Sequence, residues 1–345
     1  MREGKLRWGI LGCAGIAERA LIPAIREARN AELAGIAARD PERAADWARR
    51  HGIGRSYPGY AELVQDPWID AVYIPLANHL HAEWSIRAAR AGKHVLCEKP
   101  LGLNEAEVRA MFGAAAEAKV VLMEAFMYRF HPLIERTLEL VREGTVGEIR
   151  TVRSTFTFPN THGPENYRWD PAAGGGALYD VGCYPVSAVR TVTGREPASV
   201  YARMRFHAVT GTAVDLAASI LLDFEDGPLA LLDCAFDAAF QSSIEIAGAE
   251  GRIRLDRAFS AKNFDVRIEI GRAAGTDVID IPAANAYTRM VEHFGRAAGG
   301  AEPLRYGRDD AIGTARVIDA AFASAGSDRP AGMPVLNSSA TSTSS

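Results

Sequence analysis

Cysteine is scarce in this 345-residue chain, with only four copies. Cys13, Cys97, Cys183 and Cys234 lie far apart with no C-x-x-C pair. That spacing argues against a zinc site and predicts reduced, mostly buried thiols. Long apolar runs are missing too: no stretch of roughly eighteen apolar residues occurs, so no membrane span is expected. Charge of one sign is never concentrated. The net charge is -4 with both signs interspersed and no basic block, which gives no reason to expect nucleic acid. The first residues, Met1 to Lys5, carry no apolar signal-peptide core, so a cytoplasmic protein is expected. Histidine is sparse as well. His79, His81, His131 and His162 show no ligand spacing on an evident helix, so no metal is expected. What the chain does have is apolar residue, 48% of the total, enough for the cores of two domains.

The apolar residues first gather at the N-terminus. Residues 7–11 have the character of a short buried strand, Gly12 to Gly15 of a tight turn, and 16–28 of a helix with Ile16, Ala20, Ile22, Ala24 and Ile25 on one side. A strand, a small-residue turn and a helix form the opening of a dinucleotide-binding unit. Unpaired N–H groups and the positive dipole end of such a helix attract a pyrophosphate. Gly12, Ala14 and Ala17 occupy the three slots of G-x-G-x-x-G/A, so the fingerprint departs at its second glycine, where alanine adds only a methyl group.

Strand and helix then alternate to about residue 125. Strands are expected at 32–38, 71–76, 94–97 and 120–123. Helices are expected at 41–51, 82–91 and, capped by Asn104, up to 118. This alternation predicts a doubly wound parallel sheet, an α/β Rossmann domain over 1–125. After a helix at 132–143, strand-like runs dominate at 149–158, 200–206, 217–224, 229–235, 244–247, 253–255 and 266–270. Short links such as Asp226-Gly227 favour antiparallel pairing, and helices near 287–298 and 309–324 close the chain. The second domain is therefore expected to be α+β over 126–336, followed by a disordered tail at 337–345.

Ligands of doubly wound sheets bind outside the carboxyl ends of the strands. The cofactor candidates are accordingly Gly12, Cys13, Ala14, Gly15 and Ile16 after the first strand, and Ala38 and Arg39 after the second. Leu76, Asn78 and His81 follow the third, and Glu98 and Lys99 the fourth. An arginine after the second strand suits a 2′-phosphate, so NADP(H) is favoured; Asp40 keeps NAD(H) as the alternative. Lys99 precedes Pro100, across a bond that can be cis. Partial removal from water is expected to weaken its hold on the charge and fit it for proton transfer. Asp180 and Tyr184, four apart after a glycine run, share a face if the segment is helical. A phenol beside a lysine ammonium is expected to have a lowered pKa.

Together, Ala91 to Pro100 (ending Cys-Glu-Lys-Pro), Gly175 to Tyr184 (Gly-Gly-Ala-Leu-Tyr-Asp-Val-Gly-Cys-Tyr), the N-terminal turn at Gly12 and Met123 to Pro132 resemble the Gfo/Idh/MocA oxidoreductase family. That family is named for glucose–fructose oxidoreductase and inositol dehydrogenase. The resemblance runs from Trp8 to about Phe322, and it departs at Ala14 and at Ala77, where proline is common. It implies bound NAD(P) and a large, open, mainly antiparallel sheet that often packs against a second subunit, as a homodimer or homotetramer. It also implies that Lys99 is the active-site lysine, Asp180 the motif carboxylate and Tyr184 the occupant of a slot held by histidine or tyrosine in the family; Tyr184 is expected to transfer the proton, with Lys99 as proton donor the close alternative. Residues 166–171 resemble the substrate loop of the sugar and dihydrodiol dehydrogenase branch, which makes Tyr167, Arg168 and Trp169 candidate substrate contacts beside Lys99, Asp180 and Tyr184. The expected activity is hydride transfer to or from a sugar-like substrate, as a ketosugar reductase or an aldose dehydrogenase. A trans-dihydrodiol dehydrogenase and a non-catalytic NAD(P)-binding sensor are the alternatives.

Overall fold

The computed structural model describes residues 4–209, 212–261, 263–327 and 329–333. The expected frayed tail at 337–345 lies outside the described residues. Six strands form one parallel sheet: β1 (Leu6–Leu11), β2 (Ala31–Ala37), β3 (Arg55–Tyr57), β4 (Ala71–Ile74), β5 (His94–Cys97) and β6 (Leu122–Glu124). Their spatial order is β3-β2-β1-β4-β5-β6, so the direction of winding reverses between β1 and β4. Strands buried on both faces lose the in–out alternation of a one-sided sheet. Accordingly β4 is buried at every position and β1 at all but one.

The helices between these strands are α1 (Ile22–Glu27), α2 (Pro41–Arg50), α3 (Tyr60–Gln65), α4 (His81–Arg90) and α5 (Glu105–Glu117). Asp40 caps α2 by accepting from the Glu42 and Arg43 N–H groups, and Asn104 caps α5 through the Glu107 N–H. Three details differ from the sequence expectation. A π-turn, Ala17–Leu21, precedes α1, where an unbroken α-helix was expected. The third expected strand stops at Ile74, and the short edge strand β3 intervenes before it. β3 has three residues and none is buried, so it leaves no hydrophobic signal.

The second sheet has nine strands. They are β7 (Ile149–Thr157), β8 (Ser199–Val209), β9 (Thr212–Asp223), β10 (Leu229–Ala235), β11 (Gln241–Gly248), β12 (Arg252–Asp256), β13 (Val266–Arg272), β14 (Gly275–Ile281) and β15 (Ala331–Gly332). The order is β14-β13-β12-β11-β7-β10-β9-β8-β15. Every neighbouring pair is antiparallel except β7 and β10, so the sheet is mixed but mainly antiparallel. β10 alternates exposed and buried residues up to its last position, as expected of a sheet with one face in solvent. β14, exposed at five of its seven positions, has no alternation for the sequence to reveal.

The inner face of this sheet covers α6 (Pro132–Arg142) and α7 (Cys183–Thr193), while α8 (Ala286–Ala298) and α9 (Arg308–Ser327) return to the first sheet. Phe294 of α8 packs on Trp8 of β1 at 5.1 Å between ring centroids. Ala311, Ile312 and Ala315 of α9 join the apolar cluster on the other face. A buried polar knot ties these parts together: the Arg129 guanidinium pairs with Asp310, which also pairs with Arg190.

Candidate active site

Gly12 follows β1 with a φ of 111°, in the left-handed half of backbone space, and its N–H donates to the Ala37 carbonyl at 2.8 Å. A Cβ there would lie 2.9 Å from Leu76 Cδ2, so glycine meets both the turn and the close approach. The cleft that opens above this turn has a volume of about 510 Å³. Gly12, Cys13, Ala14, Gly15 and Ile16 form its floor, and Ala38, Arg39, Asp40 and Arg43 form one end. Those residues fit a dinucleotide: backbone N–H groups at a helix start for the pyrophosphate, and two guanidinium groups at the end where an adenosine ribose would lie. Asp40 is occupied as the cap of α2. Burial pushes the Cys13 thiol up to about 11, so it stays protonated beside the turn.

A second cavity of about 210 Å³ continues from this cleft and shares Ile16, Arg19, Leu76, Tyr167 and Arg168 with it. Lys99 and Glu98 enter it from the end of β5, across a cis Lys99–Pro100 bond. Asp180 and Tyr184 enter from the opposite side. They do share a face, but through a π-turn, Leu178–Gly182, that runs directly into α7. The Cys183 N–H donates to the Leu178 carbonyl, five residues back, so Gly182 sits inside the turn without breaking it.

The Lys99 ammonium donates to the Asp180 carbonyl at 2.6 Å and lies 3.3 Å from Asp180 Oδ1. Arg168 Nε donates to the other oxygen, Oδ2, at 2.8 Å. One buried carboxylate thus receives two cations from distant segments. Burial pushes the Asp180 carboxyl up, but Lys99 and Arg168 outweigh it and hold it down at about 2. Burial likewise works against the Lys99 charge, yet Asp180, with Cys183, Glu98 and Tyr167, raises it above the usual lysine value. This corrects the expectation that desolvation would free the lysine of its proton. The expected lowering of the Tyr184 phenol is also overturned. The ammonium sits over the ring, 5.1 Å from its centroid, and burial with Glu98 drives the phenol well above its ordinary value.

The aromatic wall is continuous. Tyr184 meets Phe126 and Phe156 edge to face at 5.3 and 5.2 Å, and Phe156 lines the cavity with it. Asn78 lines the cavity while its amide donates to the Gly174 carbonyl at 2.8 Å. Glu98 accepts from the Tyr73 hydroxyl at 2.5 Å, and burial raises its carboxyl.

Two candidates stand apart from the rest. His81 does not line the cleft or the cavity. Its ring is buried behind them, between the carbonyls of Pro100 (2.8 Å) and Leu76 (3.0 Å), where it braces two strand-end loops. Burial lowers its pKa to about 4, so it is neutral and has one N–H for the two carbonyls. Trp169 does not line the cavity that holds Lys99 but a neighbouring one of about 530 Å³, with Arg39, Leu76 and Tyr167. Its indole N–H donates to the His162 carbonyl, and its ring packs on Phe236. Sequence reasoning missed Arg19, Arg43 and Tyr287. Arg43 lies four residues after Arg39, a spacing that would have found it; Tyr287, from α8, carries no such signal. Among the described residues no group of three or more His, Cys, Asp or Glu side chains could hold a metal ion. No helix there is long and apolar enough to cross a membrane.

Comparison with known proteins agrees with this architecture. The chain is 40% identical to a D-xylose 1-dehydrogenase (NADP(+)) of Haloferax volcanii over 93% of its length and 97% of the relative's. It superposes on a 3-ketoreductase from Actinomadura kijaniata, solved with NADP and TDP-benzene, with a TM-score of 0.87 at 33% identity, covering 93% of this chain and 98% of that one. An aldose-aldose oxidoreductase from Caulobacter crescentus, complexed with glycerol, superposes with a TM-score of 0.88 at 29% identity, over 95% and 100% of the two chains. Residues 6–126 match the oxidoreductase family with an NAD-binding Rossmann fold, and residues 134–254 match the GFO/IDH/MocA C-terminal domain. The chain therefore belongs to the GFO/IDH/MocA family of oxidoreductases.

Proposed function

We propose that this protein is an NADP(H)-dependent oxidoreductase acting on the hydroxyl or carbonyl carbon of a sugar or sugar-like substrate. One observation carries the reading: Lys99, Asp180 and Tyr184 line a single cavity that opens into the dinucleotide cleft. The cofactor, when bound, supplies or accepts the hydride at its nicotinamide ring. The rest of the chemistry belongs to the chain. Burial keeps the Tyr184 phenol protonated, which suits a group that gives a proton to a developing alkoxide. Lys99, held charged by Asp180, polarises the same oxygen. Asp180 and Arg168 fix the lysine and close the cavity on one side.

A small cavity with ammonium, guanidinium, carboxylate and amide groups beside an aromatic wall suits a polyol that offers several hydroxyls and one C–H face. The xylose dehydrogenase and ketoreductase relatives support the same substrate class. Arg39 and Arg43 at the cleft end favour NADP(H), with NAD(H) the alternative. A panel of aldoses, ketosugars and vicinal diols assayed with each cofactor tests the proposal. Turnover of at least one sugar with NADP(H) supports it; tight cofactor binding with no turnover on any member refutes it.

The proposal extends to self-association through the open face of the second sheet, as a homodimer or homotetramer. Tyr201, Leu221 and Leu231 stand directly opposite one another across β8, β9 and β10, and Arg153 and Glu245 continue the row as an ion pair. Leu229 and Leu231 are 47% and 46% exposed, an apolar surface that a second subunit would cover. Light scattering at micromolar concentration tests it; a monomer refutes it. Four unpaired cysteines, three of them buried, support action in a reducing compartment such as the cytoplasm.

A further inference from the structure

β9 contains a bulge. Arg205 of β8 pairs with Ala217, yet the next residue, Phe206, pairs with Asp215, so Leu216 is an extra residue on β9. The Leu216 carbonyl accepts instead from the Phe236 N–H at 2.9 Å. A strand buried on one face should alternate, but Val214 and Asp215 are both 2% exposed. The bulge re-aims one side chain, and the one it turns inward is a carboxylate.

That carboxylate meets the start of the π-turn that carries Asp180. The Leu178 N–H donates to Asp215 Oδ2 at 2.6 Å. Ala177, the turn's own cap residue, has no side chain able to do this. Gly176 leaves the necessary room: with a φ of 111°, its Cβ would lie 1.9 Å from Asp215 Oδ1. No salt bridge to Asp215 forms among the described residues; burial pushes its carboxyl up to about 7, and backbone N–H groups are what hold it from rising further. The π-turn is held on its other side as well. A Cβ at Gly182 would lie 2.8 Å from Cys234 Sγ of β10.

We infer that Asp215 is a positioning residue for the reaction: the bulge presents it as an external cap that fixes the π-turn, and the turn in turn fixes Lys99. The link to Lys99 is direct, because the ammonium's shorter hydrogen bond is to the backbone carbonyl of Asp180, not to its side chain. A shift of the turn backbone therefore moves the lysine even if the Asp180 side chain stays in place. No residue of the π-turn or of β9 lines the cofactor cleft, so cutting the cap reaches the cleft only through Arg168. The inference rests on the functional reading above only for its effect on turnover.

The test uses the full chain with Asp215→Ala, Asp215→Asn and Gly176→Ala. Lysine acylation, quantified peptide by peptide by mass spectrometry, reads how firmly Lys99 is held and needs no substrate. Lys99 labelling is expected to rise about tenfold in Asp215→Ala and in Gly176→Ala, and less in Asp215→Asn, which retains one acceptor oxygen. On any sugar the wild type turns over, kcat should fall by roughly 10- to 100-fold in the alanine variants, with KM for the cofactor within about twofold. The isosteric asparagine variant keeps the comparison available if Asp215→Ala does not fold. Labelling at wild-type levels in all folded variants overturns the inference, and so does raised labelling with unchanged kcat. A wild type inactive on every sugar refutes the functional reading instead and leaves the labelling to decide whether Asp215 anchors Lys99.

Discussion

Tyr184→Phe is the substitution that most directly tests the proposed chemistry, because the structure predicts a slow enzyme that is otherwise intact. The hydroxyl it removes makes no hydrogen bond among the described residues, while the ring keeps its edge contacts with Phe126 and Phe156. The stability change should stay below about 1 kcal/mol. If the phenol gives the proton, turnover should fall by about 10²–10⁴, equivalent to roughly 3–5 kcal/mol of barrier. Lys99→Met is the paired measurement. It leaves Asp180 buried with only Arg168 as partner, and breaking a buried pair costs about 3–5 kcal/mol. Because Arg168 still holds Oδ2 at 2.8 Å, the lower end is expected. Lys99→Met should therefore be both slow and less stable, and Tyr184→Phe slow alone. The assay is steady-state nicotinamide absorbance, with cofactor affinity by fluorescence titration and stability by thermal melting. A Tyr184→Phe variant that turns over within about threefold of wild type across the pH range would give the proton-donor role to Lys99.

The same groups fix the pH behaviour. Asp180 has its pKa depressed to about 2, so its contribution to stability is present above its unfolded value and lost as pH falls through about 2. Lys99 has its pKa raised, so its contribution is present below its unfolded value and lost only as pH rises past the folded one. Between roughly pH 5 and 9 neither changes charge, and the pair should contribute a constant amount. An activity limb in that interval that disappears in Lys99→Met would contradict this.

Further outcomes are expected elsewhere. Removing Arg39 or Arg43 by alanine substitution should raise KM for NADP by about 10-fold or more while leaving KM for NAD within a factor of about two; parallel losses with both cofactors would mean the arginines do not meet a 2′-phosphate. Glu124→Gln should stabilise the protein above pH 8 by on the order of a few kcal/mol and do nothing below about pH 5. Burial, reinforced by Asp310, raises that carboxyl to about 8, so the folded state binds the extra proton and loses stability as pH rises; a melting shift independent of pH would refute the sign. Gly12→Val should abolish cofactor binding with modest loss of stability, because its backbone has a φ of 111° and its Cβ position is 2.9 Å from Leu76; unaltered affinity would show that the turn does not approach the ligand.

The first sheet was legible because its strands are short, fully apolar and punctuated by glycine, proline and capping residues. β5 and β10 matched their expected bounds. β3 and β14 were not legible, since neither buries a face that would impose alternation. Lys99, Asp180 and Tyr184 stood out in the sequence because they sit in dense local motifs, and the structure brings them to one cavity. Their electrostatics were misjudged for a physical reason: desolvation can be read from a hydrophobic neighbourhood, but the direction of an ion pair cannot. Whether Lys99 faced the Tyr184 hydroxyl or its ring depends on a side-chain path that spacing does not specify. His81 fell in the right loop but points behind it, into two carbonyls. Asp215 had no local signal at all, because only the misregister between β8 and β9 turns it inward.

Asp180 explains why two motifs some eighty residues apart behave as one unit. A lysine at the end of a parallel strand would, alone, lose its charge on burial; a carboxylate in a closed turn would be protonated for the same reason. Each is helped to keep its charge by the other, and Arg168 supplies the second cation that lets Asp180 remain ionised when a substrate competes for Lys99. Arg168 belongs to the loop that also lines the cofactor cleft, so the same ion pair joins the end of β5, the π-turn and that loop. Substitutions at Lys99 and Arg168 should then be strongly non-additive. Either cation alone leaves Asp180 charged, while removing both lets it take up a proton; because that proton caps the cost of the bare carboxylate, the double variant should lose less stability than the two single losses combined.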